Sequence, residues 1–219
     1  MGVTSSTFAA ERAGTLADQA YRSIADRLVT LRIRPGEPIN DDRIAAELGF
    51  GRTPVREALK RLEHERLIVA YPRRGTFATE VQIADLGHIS EVRLQLEPLA
   101  AGLAAERASD ADRAELTRLL TRLAKSSDSD DDLIRLDMTL HRAIYAATRN
   151  PYLEDTLIRY DNLATRIWCL FLDRLPGLAG HVHEHGPLLR AIVDRDTEKA
   201  RALAAGHVEG FETAIRGVI

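Results

Sequence analysis

The apolar positions divide the chain into two regions with different rhythms. Over residues 15–33, Ala20, Ile24, Leu28 and Leu31 recur at helical spacing. The run Arg-Pro-Gly-Glu-Pro that follows, with two prolines and a glycine, ends that helix. Residues 41–48 form a short second helix, with Asn40 or Asp41 as N-cap and Gly49 closing it. Thr53 is placed to cap a third helix. Pro54 then takes its first position, where a missing N–H costs nothing. Val55, Leu59, Leu62 and Leu67 follow one face of it. Two short β-prone runs, LIVAY and TFATEV, are joined by PRRG and predict a hairpin.

From about residue 83 the rhythm is helical throughout. LGHISEVRLQLEPLAAGLAAERA predicts one long helix that Pro98 kinks or interrupts. Ser109 caps the next, through about Leu123, and KSSDSDDD is a loop and helix start. Further helices are expected at about 130–148, 151–174, 182–194 and 196–216, with Pro151 in a first turn and LPGLAG as a loop. No strand is left for this region, so it must bury its apolar stripes helix against helix. The expected fold is mainly α. Residues 1–82 form three helices plus a β-hairpin, and residues 83–219 an antiparallel all-α helical bundle.

Composition narrows the function classes. The 219 residues are 45% hydrophobic and 29% charged, with no apolar run near the ~18 residues that span a membrane. The N-terminus shows no secretory signal. Gly2 and Ser6 formally fit an N-myristoylation pattern, a match too short to weigh. A single cysteine, Cys169 in the apolar IWCLFL, excludes an intrachain disulfide framework and predicts a buried thiol in a reducing cytoplasm. The acidic run near residue 130 lacks the glycine and final glutamate of a calcium loop.

Charge is placed unevenly. Residues 81–219 carry 17 Lys/Arg against 22 Asp/Glu, whereas residues 50–77 carry 7 against 3. A basic patch on a near-neutral chain is an electrostatic footprint for a polyanion. Two short helices, a tight turn at Gly49–Gly51 and a basic third helix make a helix-turn-helix for double-stranded DNA. Arg52 and Arg56, four apart, share the N-terminal face that meets base edges in a major groove. Thr53 offers a hydroxyl and the free N–H groups of the helix start to a phosphate. Arg73-Arg74-Gly75 tips the hairpin and is placed for the minor groove, Gly75 allowing close backbone approach.

The runs GRTPVREALKRLE and PRRGTF resemble the hallmark of the GntR family of bacterial transcription regulators over roughly residues 17–80. The resemblance implies a winged helix-turn-helix that binds a palindromic operator as a homodimer. It also implies DNA contact by Arg52, Thr53, Arg56 and Gly75. Two positions depart from the family pattern. Gly51 stands where a small hydroxyl residue is usual. Asp42 stands where an arginine is usual, with Arg43 as its neighbour and the candidate replacement.

A second constellation lies in the helical region. Asp137 and His141 are four apart on a stripe shared with Leu133, Leu140 and Ile144. His185 runs in phase with Leu188, Leu189 and Ile192, and His207 with Leu203, Ala204 and Phe211. Burying four such groups without partners is costly, and one shared divalent cation satisfies them all. His183 is out of phase and expected in solvent, while His181 is in phase but expected to precede its helix. EVRLQLE, LDMTLHRAIYAATRNPYL and EHGPLLRAIVDRDTEKARALAAGHV resemble the FCD effector domain of the FadR-like subfamily, over about residues 83–217. By that resemblance Asp137, His141, His185 and His207 are metal ligands, a set suited to Zn, Ni, Mn or Fe. Effectors of the family are often small carboxylates. Arg93, and less directly Arg166, are the candidates to hold one. The expectation is a cytoplasmic, metal-containing regulator, a repressor released by a small organic acid. The alternatives are a metalloenzyme acting on a small carboxylate, and a regulator whose metal is purely structural.

Overall fold

The computed structural model describes residues 14–126, 129–175 and 177–219, so Gly2 and Ser6 lie outside it, as do parts of the KSSDSDDD and LPGLAG runs. The chain divides into two compact units, one ending at Val81 and the other beginning at Gln82.

In the first unit, helix α1 (Leu16–Val29) opens on a reciprocal cap between Thr15 and Asp18. It stops short of residue 33. Leu31 takes a positive φ of 55°, and the Ile33 N–H donates to the Arg27 carbonyl at 2.9 Å. The chain thereby reverses and turns Ile33 into the core. Helix α2 (Asp41–Leu48) is capped by Asn40 and closed by Gly49 at φ 69°. Helix α3 (Arg52–His64) begins earlier than the sequence suggested. Its N-cap is Gly51, in extended backbone with no side-chain bond. Thr53 is therefore the second helical residue rather than the cap, and Pro54 the third. Proline is tolerated there because the first four N–H groups have no partner inside the helix. Ile24, Leu28, Val55, Leu62 and Leu67 are fully buried between these helices and the sheet.

The wing has three strands, not two. Strands β1 (Pro38–Ile39), β2 (Ile68–Tyr71) and β3 (Gly75–Ala78) run antiparallel in the order β1-β3-β2. Ile39 faces Thr76, and Tyr71 faces Gly75 across the turn. Two residues beginning with proline carry no periodicity, so β1 has no sequence signal of its own. At the tip, Arg73 (φ 61°) and Gly75 (φ 99°) both take the left-handed region.

The second unit is all helix among the described residues: α4 (Asp85–Arg107), α5 (Asp110–Leu123), α6 (Asp130–Ala147), α7 (Pro151–Leu170), α8 (Leu178–His183), α9 (His185–Val193) and α10 (Thr197–Arg216). Helix α4 continues through Pro98 without a break. It packs against α6, α7, α9 and α10, and so buries residues around much of its circumference. A Cβ built at Gly102 would stand 2.5 Å from Arg201 Nε of α10. Two expected helices differ. The 151–174 helix ends at Leu170, followed by a 3₁₀ turn at Leu172–Arg174. The 182–194 helix is two helices that meet at Glu184.

Ser109 accepts the Asp112 N–H and its backbone N–H bonds Asp112 in return. Arg149 reaches back to the same two side chains. Ser109→Ala is expected to cost about 1 kcal/mol of stability, as N-cap losses typically do. Urea unfolding followed by circular dichroism would show it, and an unchanged midpoint would mean the cap is redundant.

Candidate DNA-reading face and metal-ligand cluster

Arg52, Thr53 and Arg56 are exposed on the N-terminal half of α3. Lys60, one turn beyond Arg56, extends the same stripe and was missed by the motif reading, although its i+4 spacing was legible. The first turn of α3 has neither a side-chain cap nor an acidic residue, so its N–H groups stay available to an anion. Arg73, Arg74 and Gly75 are exposed at the wing tip, where the Arg74 N–H donates to the Tyr71 carbonyl at 3.1 Å.

These arginines are not idle. Arg52 Nε stands 2.8 Å from Asp42 Oδ1, and Arg56 Nε 2.7 Å from Asp41 Oδ2. The Arg56 hydrogen bond holds the Asp41 carboxyl below its usual range. Arg43 is exposed on α2 beside Glu47 at 3.5 Å and Glu37 at 3.6 Å. Exposed pairs of this kind contribute little to stability and exchange readily.

In the second unit, α6 carries Asp137 and His141, α9 begins at His185, and α10 carries His207. One ligand atom from each of the four lies within 4.8 Å of the others. All three histidines are buried. Their Nδ1 atoms are engaged outward: His185 with the Val182 carbonyl at 3.1 Å, His207 with Glu184 Oε2 at 3.0 Å, His141 with the Tyr145 hydroxyl at 3.0 Å. A carbonyl can only accept, so His185 Nδ1 carries the hydrogen and Nε2 the lone pair. The same holds for His207 against an ionised carboxylate. The lone-pair side is poorly satisfied. His185 Nε2 and Asp137 Oδ1 are buried without a hydrogen-bond partner, His141 Nε2 and His207 Nε2 face each other at 3.3 Å, and Asp137 Oδ1 is 3.5 Å from His185 Nδ1.

Burial holds all three imidazoles well below their ordinary pKa, and the Arg93 charge adds to this at His141 and His207. They are neutral at pH 7, the form that binds metal. Burial, reinforced by Asp161, raises Asp137 well above the carboxylate range. The donor set therefore fits a divalent cation, which would supply the charge that the ring of lone pairs and carboxylate lacks.

Several neighbours escaped the sequence reading. His181 does not precede its helix. It lies within α8, stacked on His207 at 4.0 Å and on Trp168 at 4.5 Å between centroids. His183 is exposed, as expected. Glu184 orients His207 from a half-exposed position that no periodicity marks. Asp161 is buried on α7, in phase with Leu157, Ala164 and Trp168, a stripe that was legible. Burial pushes its carboxyl up to about 7.

A cavity of about 20 Å³ borders the cluster, lined by Arg93, Asp137, His141, Asp161, Trp168 and His181 among others. Arg93 is thus at the cavity, but its Nε is 2.6 Å from Glu97 Oε1 in a buried pair. Arg166 is buried on α7 and is not among the lining residues. Cys169 is half-buried rather than fully so, and burial pushes its thiol up to about 12, leaving it protonated and unreactive. Among the described residues no helix is long and apolar enough to cross a membrane.

A winged helix-turn-helix with an exposed basic reading helix, joined to a helical domain with an internal ligand-type site, defines a class: DNA-binding transcriptional regulators, not enzymes. Known proteins place the chain within it. Residues 16–78 match the bacterial regulatory proteins of the gntR family, and residues 88–210 match the FCD domain. The chain is 30% identical over 186 residues to the Nta operon transcriptional regulator of Aminobacter aminovorans, covering 83% of this chain and 85% of that one. It is 23% identical over 202 residues to the transcriptional repressor RspR of Escherichia coli, 91% of this chain and 89% of that one. The solved structure of E. coli McbR/YncC superposes with a TM-score of 0.80 at 25% identity, over 93% of this chain and 98% of that one. The chain belongs to the GntR family, with an FCD-type C-terminal domain.

Ligation requires Asp137 to lose the proton that burial favours, so metal binding releases a proton and strengthens as pH rises. The imidazoles are already neutral and do not oppose it. Zn²⁺ added to chelator-treated protein should raise Tm more at pH 7.5 than at pH 5.5. No gain at either pH would exclude the cluster as a metal site.

Proposed function

We propose that the chain is a cytoplasmic homodimeric repressor, released from a palindromic operator by a small carboxylate bound beside a divalent metal ion. Residues 1–82 read DNA and residues 83–219 hold the metal and effector. Asp137, His141, His185 and His207 are the ligands, a one-oxygen, three-nitrogen set that suits Zn, Ni, Mn or Fe. The observation that carries the reading is His185 Nε2 and Asp137 Oδ1, buried without a hydrogen-bond partner within a four-residue cluster. Such atoms are costly to leave unpaired. When bound, the ion supplies a Lewis-acidic anchor for an effector oxygen. Arg93 stands at the cavity to orient the acid group. Arg166, buried outside the lining, has only an indirect part in it.

On DNA, Arg52 and Arg56 enter the major groove and Thr53 meets a phosphate with the N–H groups of α3. Arg73, Arg74 and Gly75 approach the minor groove, and Arg43 reaches the backbone from α2. Effector binding favours one arrangement of the paired reading heads. Operator affinity then changes by the same coupling free energy that the operator exerts on the effector. A second reading, a closed metal that only stabilises the bundle, is favoured by the small size of the cavity, about 20 Å³. Small organic acids that raise the Tm of metal-loaded protein would favour the sensor over the closed site.

Arg52→Ala and Arg56→Ala should abolish specific operator binding with the fold intact. Unchanged affinity in a gel-shift titration would sink the assignment. His185→Ala should lower bound metal, and equal metal in both proteins by elemental analysis would remove it from the ligand set.

A further inference from the structure

The proposed function gives no part to the groove between α3 and the wing. It encloses about 360 Å³, and its lining includes Arg56, Lys60 and Glu63 of α3, Gly75 and Thr76 of β3, and Asp41. Three of these four charged side chains are engaged. Arg56 Nε meets Asp41 Oδ2 at 2.7 Å, and Glu63 Oε1 accepts the Ala70 N–H at 3.3 Å. Lys60 is exposed and, among the described residues, has neither a hydrogen bond nor an ion pair. It does not pair with Glu63, three residues on, although that spacing allows it. The Thr76 hydroxyl is likewise without a partner among the described residues.

Duplex geometry limits what can pass through such a gap. A major groove and its neighbouring minor groove are separated by one sugar–phosphate strand. A helix in the first and a wing in the second therefore stand on either side of that strand. The space between α3 and β3 then faces phosphates, not base edges. A lysine ammonium suits a phosphate, being a compact point charge on a flexible stem.

We infer that the groove is a channel for one DNA backbone strand, in which Lys60 neutralises a phosphate and Thr76 donates its hydroxyl to the same strand. Lys60 sets affinity for DNA of any sequence, whereas Arg52 and Arg56 discriminate between sequences. This rests on the reading of α3 and the wing as the DNA-contacting elements.

Two duplexes are titrated into the full-length protein by fluorescence anisotropy at several salt concentrations. One is enriched from a random-sequence pool by the wild-type protein, and the other is a scrambled version of it. Lys60→Ala should weaken both about 10-fold, the loss of one charge-assisted hydrogen bond, and leave their ratio within about 2-fold. The slope of log K against log salt should flatten by about 0.9 for each reading head engaged. Lys60→Arg should restore affinity and slope. Thr76→Val should weaken both duplexes with the slope unchanged, because a hydroxyl releases no counterion. Weakening of the enriched duplex alone by Lys60→Ala would make Lys60 a base reader, and an unchanged slope would remove the phosphate contact; either result overturns the inference. Neutral methylphosphonate linkages are then scanned along the enriched duplex. At least one should cost affinity in the wild-type protein and none in Lys60→Ala, and finding no such linkage overturns the inference as well. Arg52→Ala separates this failure from a deeper one. If it abolishes binding to the enriched duplex while Lys60→Ala is silent, only the channel falls. If both are silent, α3 is not the reading helix and the underlying reading fails too.

Discussion

The second unit depends on the burial of three imidazoles and a carboxylate around one point. Polar groups in a packed core are tolerated only when each has a partner, and here the partners are split between two sides. Outward, Val182, Glu184 and Tyr145 meet the three Nδ1 atoms and fix the rings. Inward, His141 Nε2 and His207 Nε2 stand 3.3 Å apart, and His185 Nε2 and Asp137 Oδ1 have no hydrogen-bond partner. The surrounding helices are arranged to make this possible. Helix α6 contributes two groups one turn apart, α9 begins on its histidine, and α10 lies against α4 with Arg201 seated over Gly102. Remove the outward partners and the rings lose their orientation before any ligand arrives.

The first unit obeys a different constraint. Its core is apolar, and its chemistry lies wholly on the surface, where a helix start and a strand turn present arginines. The tip owes its shape to backbone in the left-handed region at Arg73 as well as Gly75. A non-glycine residue held there carries strain of about 1–3 kcal/mol, sustained by the surrounding strands. Tyr71 paired to Gly75, and β3 paired on both edges, provide that support.

Much of this was legible before any coordinates. The helices of the first unit, the hairpin and the in-phase Asp137, His141, His185 and His207 all carry periodic or turn signals. What escaped has physical reasons. Strand β1 is too short to have a period. The cap of α3 was assigned to Thr53 because its side chain can cap, whereas the chain places a side-chain-less Gly51 there. His181 follows the loop-like LPGLAG and is expected to precede its helix, yet it lies in a short helix, stacked on Trp168 and His207. Glu184 has no signal at all, because its role exists only once α9 meets α10. Asp161 had one, a polar residue on an apolar stripe of α7.

The pairing of Arg52 with Asp42 and Arg56 with Asp41 bears on how such a protein finds its site. Random-sequence DNA attracts by phosphate charge alone, and an arginine already facing a carboxylate gains less from that attraction. A base edge that accepts two hydrogen bonds offers geometry the aspartate does not match. If Arg52 and Arg56 contact DNA as proposed, the two acids on α2 weaken binding to the wrong sequence more than to the right one. They would then trade residence on bulk chromosome for contrast between sites, which is the quantity that matters when competing sites number in the millions.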